Sequence, residues 1–116
     1  MKWKGIDRRT RARADYPCKV VVLRADLRLS FSTHTQNIGA GGVCVVLPRE
    51  LPKACPVQVL LYLKDEGGSL ECNGRVAWVA QAGETDFTTG VEFLDINEAD
   101  RVRIGRIVQQ VLSNQT

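Results

Sequence analysis

Histidine occurs once in these 116 residues, at His34, and no two cysteines stand in a Cys-x-x-Cys pair. A zinc site needs such donors at close spacing, so a metal centre is disfavoured. His34 falls on the polar side of an alternating run and reads as a solvent-facing strand residue. No base–nucleophile pair or carboxylate constellation stands out beside it, which argues against an enzyme. Long apolar runs are also missing, so nothing in the chain is expected to insert in a membrane. The first residues, Met-Lys-Trp-Lys-Gly, are not followed by the apolar core of a signal peptide, and this points to the cytoplasm. The four cysteines, Cys18, Cys44, Cys55 and Cys72, are separated by 26, 11 and 17 residues. Cys18, Cys44 and Cys72 lie in apolar strand-like runs and read as small buried hydrophobes in a reducing compartment. Aromatic residues make up only 6%, several of them at core-like alternating positions, so no stacking platform for nucleic acid is evident.

What the chain does have is concentrated arginine. Arg8-Arg9-Thr10-Arg11-Ala12-Arg13 places four guanidinium groups in six residues. Residues 1–17 carry a net charge of +4 in a chain of net +3, so everything after Pro17 nets −1. Charge this focused favours an anionic partner. A guanidinium is a flat fork of donors that grips phosphate or the edge of guanine with two bonds and stacks on a base. Arg9 and Arg13, four apart, share a side in a strand or a helix and can converge on one ligand. Residues 1–17 lack apolar periodicity and end at Pro17. They read as a flexible basic arm, ordered near its end or when a ligand is present, followed by a single domain over 18–116.

From Cys18 onward the pattern is β. Val20–Leu23 is a short β-branched run. Leu27, Leu29 and Phe31 then alternate with polar residues, in a strand that extends towards Asn37. Asn37-Ile38-Gly39-Ala40-Gly41-Gly42 leads into Val43–Leu47. Its three glycines permit left-handed backbone or close approach to another group. Pro48 to Pro56 is a loop, Val57–Leu63 a strand, and Gly67-Gly68 suits a hairpin. Leu70, Cys72, Gly74, Val76 and Trp78 share one face of the next strand, which places Trp78 in the core and Arg75 on the opposite side. Phe87–Phe93 is the last strand. About six strands at short spacing, with no helix between them, predict an all-β fold, an antiparallel barrel or sandwich. One amphipathic helix follows from about residue 97, with Asn97 as N-cap and Ile104, Ile107, Val108, Val111 and Leu112 on one side. It would cover a barrel mouth or sheet face, or serve as a homodimer contact.

The order of these features resembles the PilZ domain family. The family's R-R-x-x-x-R motif has its counterpart in Arg8, Arg9 and Arg13. Its [D/N]-x-S-x-x-G motif corresponds to Asn37 through Gly42, and Gly74-Arg75-Val76-Ala77-Trp78-Val79 and Gly90-Val91-Glu92-Phe93 match later strands. The resemblance spans about Arg8 to Leu112. It implies a six-stranded antiparallel β-barrel with a C-terminal helix that binds the bacterial second messenger cyclic di-GMP, with no cofactor. By that resemblance Arg9 and Arg13 would grip phosphates and guanine edges. Arg8 would add a guanidinium, Asn37 would bond a guanine edge, and the backbone of Gly39, Gly41 and Gly42 would let the ligand lie close. One position departs from the motif: Gly39 stands where the family has serine. The lost hydroxyl bond is worth roughly 0.5–1.5 kcal/mol, against about 1.5–3 kcal/mol for each charge-assisted bond from arginine.

The leading expectation is therefore a small receptor without catalytic function that passes cyclic di-GMP occupancy to an unidentified partner protein. The alternative, supported by Gly39, is a PilZ-like adaptor that binds proteins and not the nucleotide. A nucleic-acid-binding barrel stands third.

Overall fold

The computed structural model describes residues 12–65 and 67–114. Arg8 and Arg9 lie outside the described residues. The elements are β1 (Arg13–Ala14), β2 (Lys19–Arg24), a 3-10 turn (Ala25–Leu27), β3 (Leu29–Gly39), β4 (Gly42–Leu47), β5 (Pro56–Tyr62), β6 (Ser69–Gln81), β7 (Phe87–Phe93) and α1 (Glu98–Ser113). The strands run β3-β2-β5-β6-β7-β4, and β4 pairs back onto β3, so six antiparallel strands close into a barrel. Closure removes the exposed edges of an open sheet. The short β1 is an extra strand laid on β3, with Arg13 opposite Gly39 and Ala14 opposite Ile38. The six-stranded barrel and C-terminal helix agree with the expectation. Leu27 does not: it sits in the 3-10 turn, 54% exposed, ahead of the strand in which it was expected.

Alternation builds the core. Val20 and Val22, Val43, Val45 and Leu47, and Val57, Val59 and Leu61 turn inward from β2, β4 and β5, and all are buried. Burying each such side chain is worth about 1.5–3 kcal/mol. Ile104, Ile107 and Val108 of α1 join the same cluster, and α1 packs beside β1 and β3. The helix thus spends its apolar stripe on its own barrel. Asn97 caps it, accepting from the Asp100 N–H at 2.8 Å, with Glu98 and Asp100 in the first turn.

Residues 12–17, the last part of the basic segment, are built into the barrel. Pro17 has no N–H and lies in the gap where β1 ends and β2 begins, both of them paired to β3. Thr35, 2% exposed in β3, spans the gap: its hydroxyl donates to the Tyr16 carbonyl at 2.6 Å and accepts from the Cys18 N–H at 3.0 Å. Ala14 is buried and Tyr16 packs against the core.

Two bulges break the alternation. Against β4, β3 shifts register between Thr35 and Asn37; against β7, β6 shifts between Val76 and Trp78. Each inserts one residue, Gln36 and Ala77, and a one-residue insertion moves every later side chain to the opposite face. Asn37 leaves the face of Phe31 and Thr35 and points outward. Trp78 does the same and is 45% exposed, which corrects its expected place in the core.

Candidate functional site

The two re-aimed residues lie in one lateral row. Asn37 is opposite Cys44, Cys44 opposite Gly90, and Gly90 opposite Trp78. Three strand spacings separate the ends, about 14 Å. A second row runs beside it: Arg13, Gly39, Gly42, Glu92 and Arg75. Registered neighbours share a face, so both rows point away from the core. The floor between the flanking groups is made of small residues, Gly39, Gly42, Cys44 and Gly90. Larger polar or aromatic groups stand at either side.

On one side Arg13, held in β1, donates from Nη1 to Asn37 Oδ1 at 2.9 Å. A cationic fork and a carboxamide side by side suit a ligand that is both anionic and rich in acceptors. On the other side Arg75 donates through Nε and Nη2 to Glu92 Oε1 at 3.1 and 2.9 Å. The Trp78 indole lies across Gly90, where a Cβ would overlap its five-membered ring. Glycine at position 90 is therefore the bed on which the indole rests. Glu50, Leu51, Pro52, Lys53 and Val79 complete an open hollow of about 550 Å³ beside Trp78.

Cys44 is buried, yet it lies outside the core cluster, on the outer face beneath these groups. Burial pushes its thiol pKa up, and the nearby Arg13 charge acts in the opposite direction. The other three cysteines are buried in the core, and burial raises Cys72 to about 11. All four are free thiols.

The glycine stretch works by close approach. A Cβ on Gly39 would come within 2.7 Å of the Ala12 carbonyl and 3.1 Å of Arg13 Cγ. A Cβ on Gly42 would run into the backbone of Val91 and Glu92. Gly39 is thus covered by the segment that carries Arg13, and only the lack of a side chain lets β1 lie there. Gly41 is half-buried, and its carbonyl accepts from the Phe93 N–H at 2.9 Å.

Of the residues expected at a ligand site, the structure brings together Arg13, Asn37, Gly39, Gly41 and Gly42. Sequence reasoning missed Trp78 and Cys44 as outer-face residues. Gly90 was the available signal, because a strand glycine often marks a bulge or close approach. Among the described residues no helix is long and apolar enough to cross a membrane.

Residues 7–110 match the family model described as PilZ domain. By sequence, no curated protein matches. Among solved structures, the Bacillus subtilis inhibitor of motility MotI/DgrA is 20% identical with a TM-score of 0.82, covering 94% of this chain and 53% of that one. The PilZ domain of YcgR from Escherichia coli, solved with c-di-GMP, is 15% identical at a TM-score of 0.72, covering 94% and 95%. The K. pneumonia MrkH–c-di-GMP complex is 16% identical at 0.75, covering 95% and 54%. The chain spans about half the length of MotI/DgrA and MrkH, and nearly the whole of the isolated YcgR domain. A family model that matches nearly the whole chain agrees with the closed barrel and the order of the motifs: the chain belongs to the PilZ domain family.

Proposed function

We propose that this chain binds cyclic di-GMP on the outer face of the barrel and passes its occupancy to a partner protein. The observation that carries the reading is the Arg13–Asn37 pair at 2.9 Å, set against a floor of small residues. A cyclic dinucleotide has two phosphates and two flat bases rich in acceptors. Arg13, joined by Arg8 and Arg9, supplies guanidinium forks for phosphate and guanine edges. Asn37 supplies an amide for a base edge. Gly39 and Gly42 serve the site by letting β1 and β7 lie close beside Asn37, and the half-buried Gly41 leaves backbone within a ligand's reach. At the far end of the row the exposed indole of Trp78 presents an aromatic surface to a second base.

The neighbours solved with c-di-GMP support this reading, as does the family. The role is that of a receptor and not of an enzyme, acting in the cytoplasm, with α1 or the arginine-bearing segment as the surface a partner reads. The competing reading, an adaptor that binds proteins and not the nucleotide, draws on one observation: Gly39 replaces the motif serine and lies beneath Ala12 and Arg13.

Calorimetric titration of cyclic di-GMP into the parent and into an Arg9→Ala/Arg13→Ala double variant separates the two. Micromolar or tighter binding in the parent, lost in the double variant, is the expected result. No heat at several temperatures, with an unshifted Tm at saturating ligand, would overturn it in favour of the adaptor. The heat also gives the number of ligands per chain.

A further inference from the structure

The residues just after Arg13 are tied to a part of the barrel remote from the motifs. The Tyr16 phenol oxygen accepts from the backbone N–H of Lys64 at 2.7 Å, in the turn between β5 and β6. The Lys64 ammonium sits 4.9 Å from the centre of the Tyr16 ring, within cation–π range. The same turn is also gripped by α1. Arg103 donates from Nε to Asp65 Oδ2 at 2.9 Å, from Nη2 to Oδ1 at 2.5 Å, and from Nη2 to the Gly68 carbonyl. A Cβ on Gly67 would come within 2.6 Å of the Arg103 guanidinium, so the turn is shaped to receive it. Arg103 is well sheltered, its side chain 15% exposed.

Resting on the cyclic di-GMP reading, we propose that Tyr16 is a positioning residue for Arg13, and that the β5–β6 turn links this positioning to helix α1 through Arg103. β1 is only two residues long and has one strand neighbour, β3. Besides that pairing it is held by the buried Ala14 and by α1 packed beside it. Its C-terminal end, where the chain leaves towards β2, is fixed by two anchors at Tyr16: the Thr35 bridge to the Tyr16 carbonyl and the phenol bond to Lys64. Losing the phenol bond frees β1 to move from Gly39 and takes the Arg13 guanidinium away from Asn37. Losing the Arg103 clasp loosens the turn on which the phenol is pegged, with the same consequence. Conversely, a ligand that holds Arg13 in place tightens the turn and the attachment of α1, because coupling between two sites is reciprocal.

The test uses Tyr16→Phe, which keeps the ring and removes only the hydroxyl, and Arg103→Met, which keeps the stem and removes the fork. In the ligand-free chain, amide exchange at residues 13–16 is expected to quicken about tenfold in either variant, while the amides of Val59 and Val91 in the barrel keep their protection. Cyclic di-GMP affinity is expected to fall about 3- to 10-fold in either single variant. The double variant is expected to lose less than the product of the two, the mark of one shared path. Unchanged exchange at residues 13–16 in both variants overturns the proposal, whether or not affinity falls. A multiplicative double variant overturns the link through the turn. If the parent binds no cyclic di-GMP, the functional reading fails, and the exchange measurement still decides the positioning.

Discussion

Replacing Thr35 by valine isolates the hydroxyl that bridges the gap at Pro17. Valine has nearly the same shape, so packing in β3 is kept. The change removes one donor to the Tyr16 carbonyl at 2.6 Å and one acceptor for the Cys18 N–H at 3.0 Å. Cys18 is 2% exposed, so water does not reach its N–H as a substitute. An unsatisfied buried polar group costs about 1–3 kcal/mol, and the half-buried Tyr16 carbonyl falls at the low end of that range. Together they give a loss of about 2–4 kcal/mol. Urea denaturation of Thr35→Val should show this as a lower midpoint at unchanged slope. Thr35→Ser is the control. It keeps the hydroxyl and loses one methyl, about 1 kcal/mol. A Thr35→Val loss below about 1 kcal/mol, the bottom of the range for one such group, or a serine variant as costly as the valine one, would refute the bridge.

Restoring the motif serine, Gly39→Ser, should destabilise the ligand-free chain by about 1–3 kcal/mol, since its Cβ would meet the Ala12 carbonyl at 2.7 Å. A raised Tm would contradict the cover over Gly39. Gly90→Ala should push the Trp78 indole off its bed and shift its emission; in a Trp3→Phe background, an unaltered spectrum would count against that geometry. Gly105→Ala should add about 0.5–1 kcal/mol and a few degrees in Tm, because a Cβ there meets nothing within 4 Å in mid-helix. A loss of stability would mean that Gly105 has a packing role. The Arg103 guanidinium holds the Asp65 carboxyl below its ordinary value of 3.8. That contribution is present above about pH 4 and lost as pH falls through the lower folded value. Asp65→Asn should therefore be less stable than the parent at neutral pH and should lose less on acidification below about pH 4; parallel acid curves for parent and variant would disprove it.

Strand-by-strand alternation made the barrel legible. Val20 and Val22, Val57 to Leu61, and Leu70 to Val76 have period two because one face meets the core and the other meets water, and that pattern is written locally. The cap at Asn97 and the apolar stripe of α1 are local in the same way. Leu27 was misread because the pattern does not show where a turn ends and a strand begins. The basic segment showed its charge plainly. That its last residues form β1 on Gly39 was not visible, because a two-residue strand has no periodicity to read.

The sequence alone determined which residue types this protein could bring to a ligand, namely arginines at 8, 9 and 13, the amide of Asn37, and glycines where backbones must approach. The tertiary structure decided which of them share a surface. Asn37 and Trp78 both belong by parity to inward faces, and both point outward because β3 and β6 each carry one extra residue relative to the strand beside them. A bulge is a mismatch between two strands far apart in the chain, so neither strand's own pattern contains it. The same holds for Cys44, which is buried on the outer face of β4 and outside the core cluster, and for Tyr16 and Arg103, which meet at one turn from distant parts of the chain.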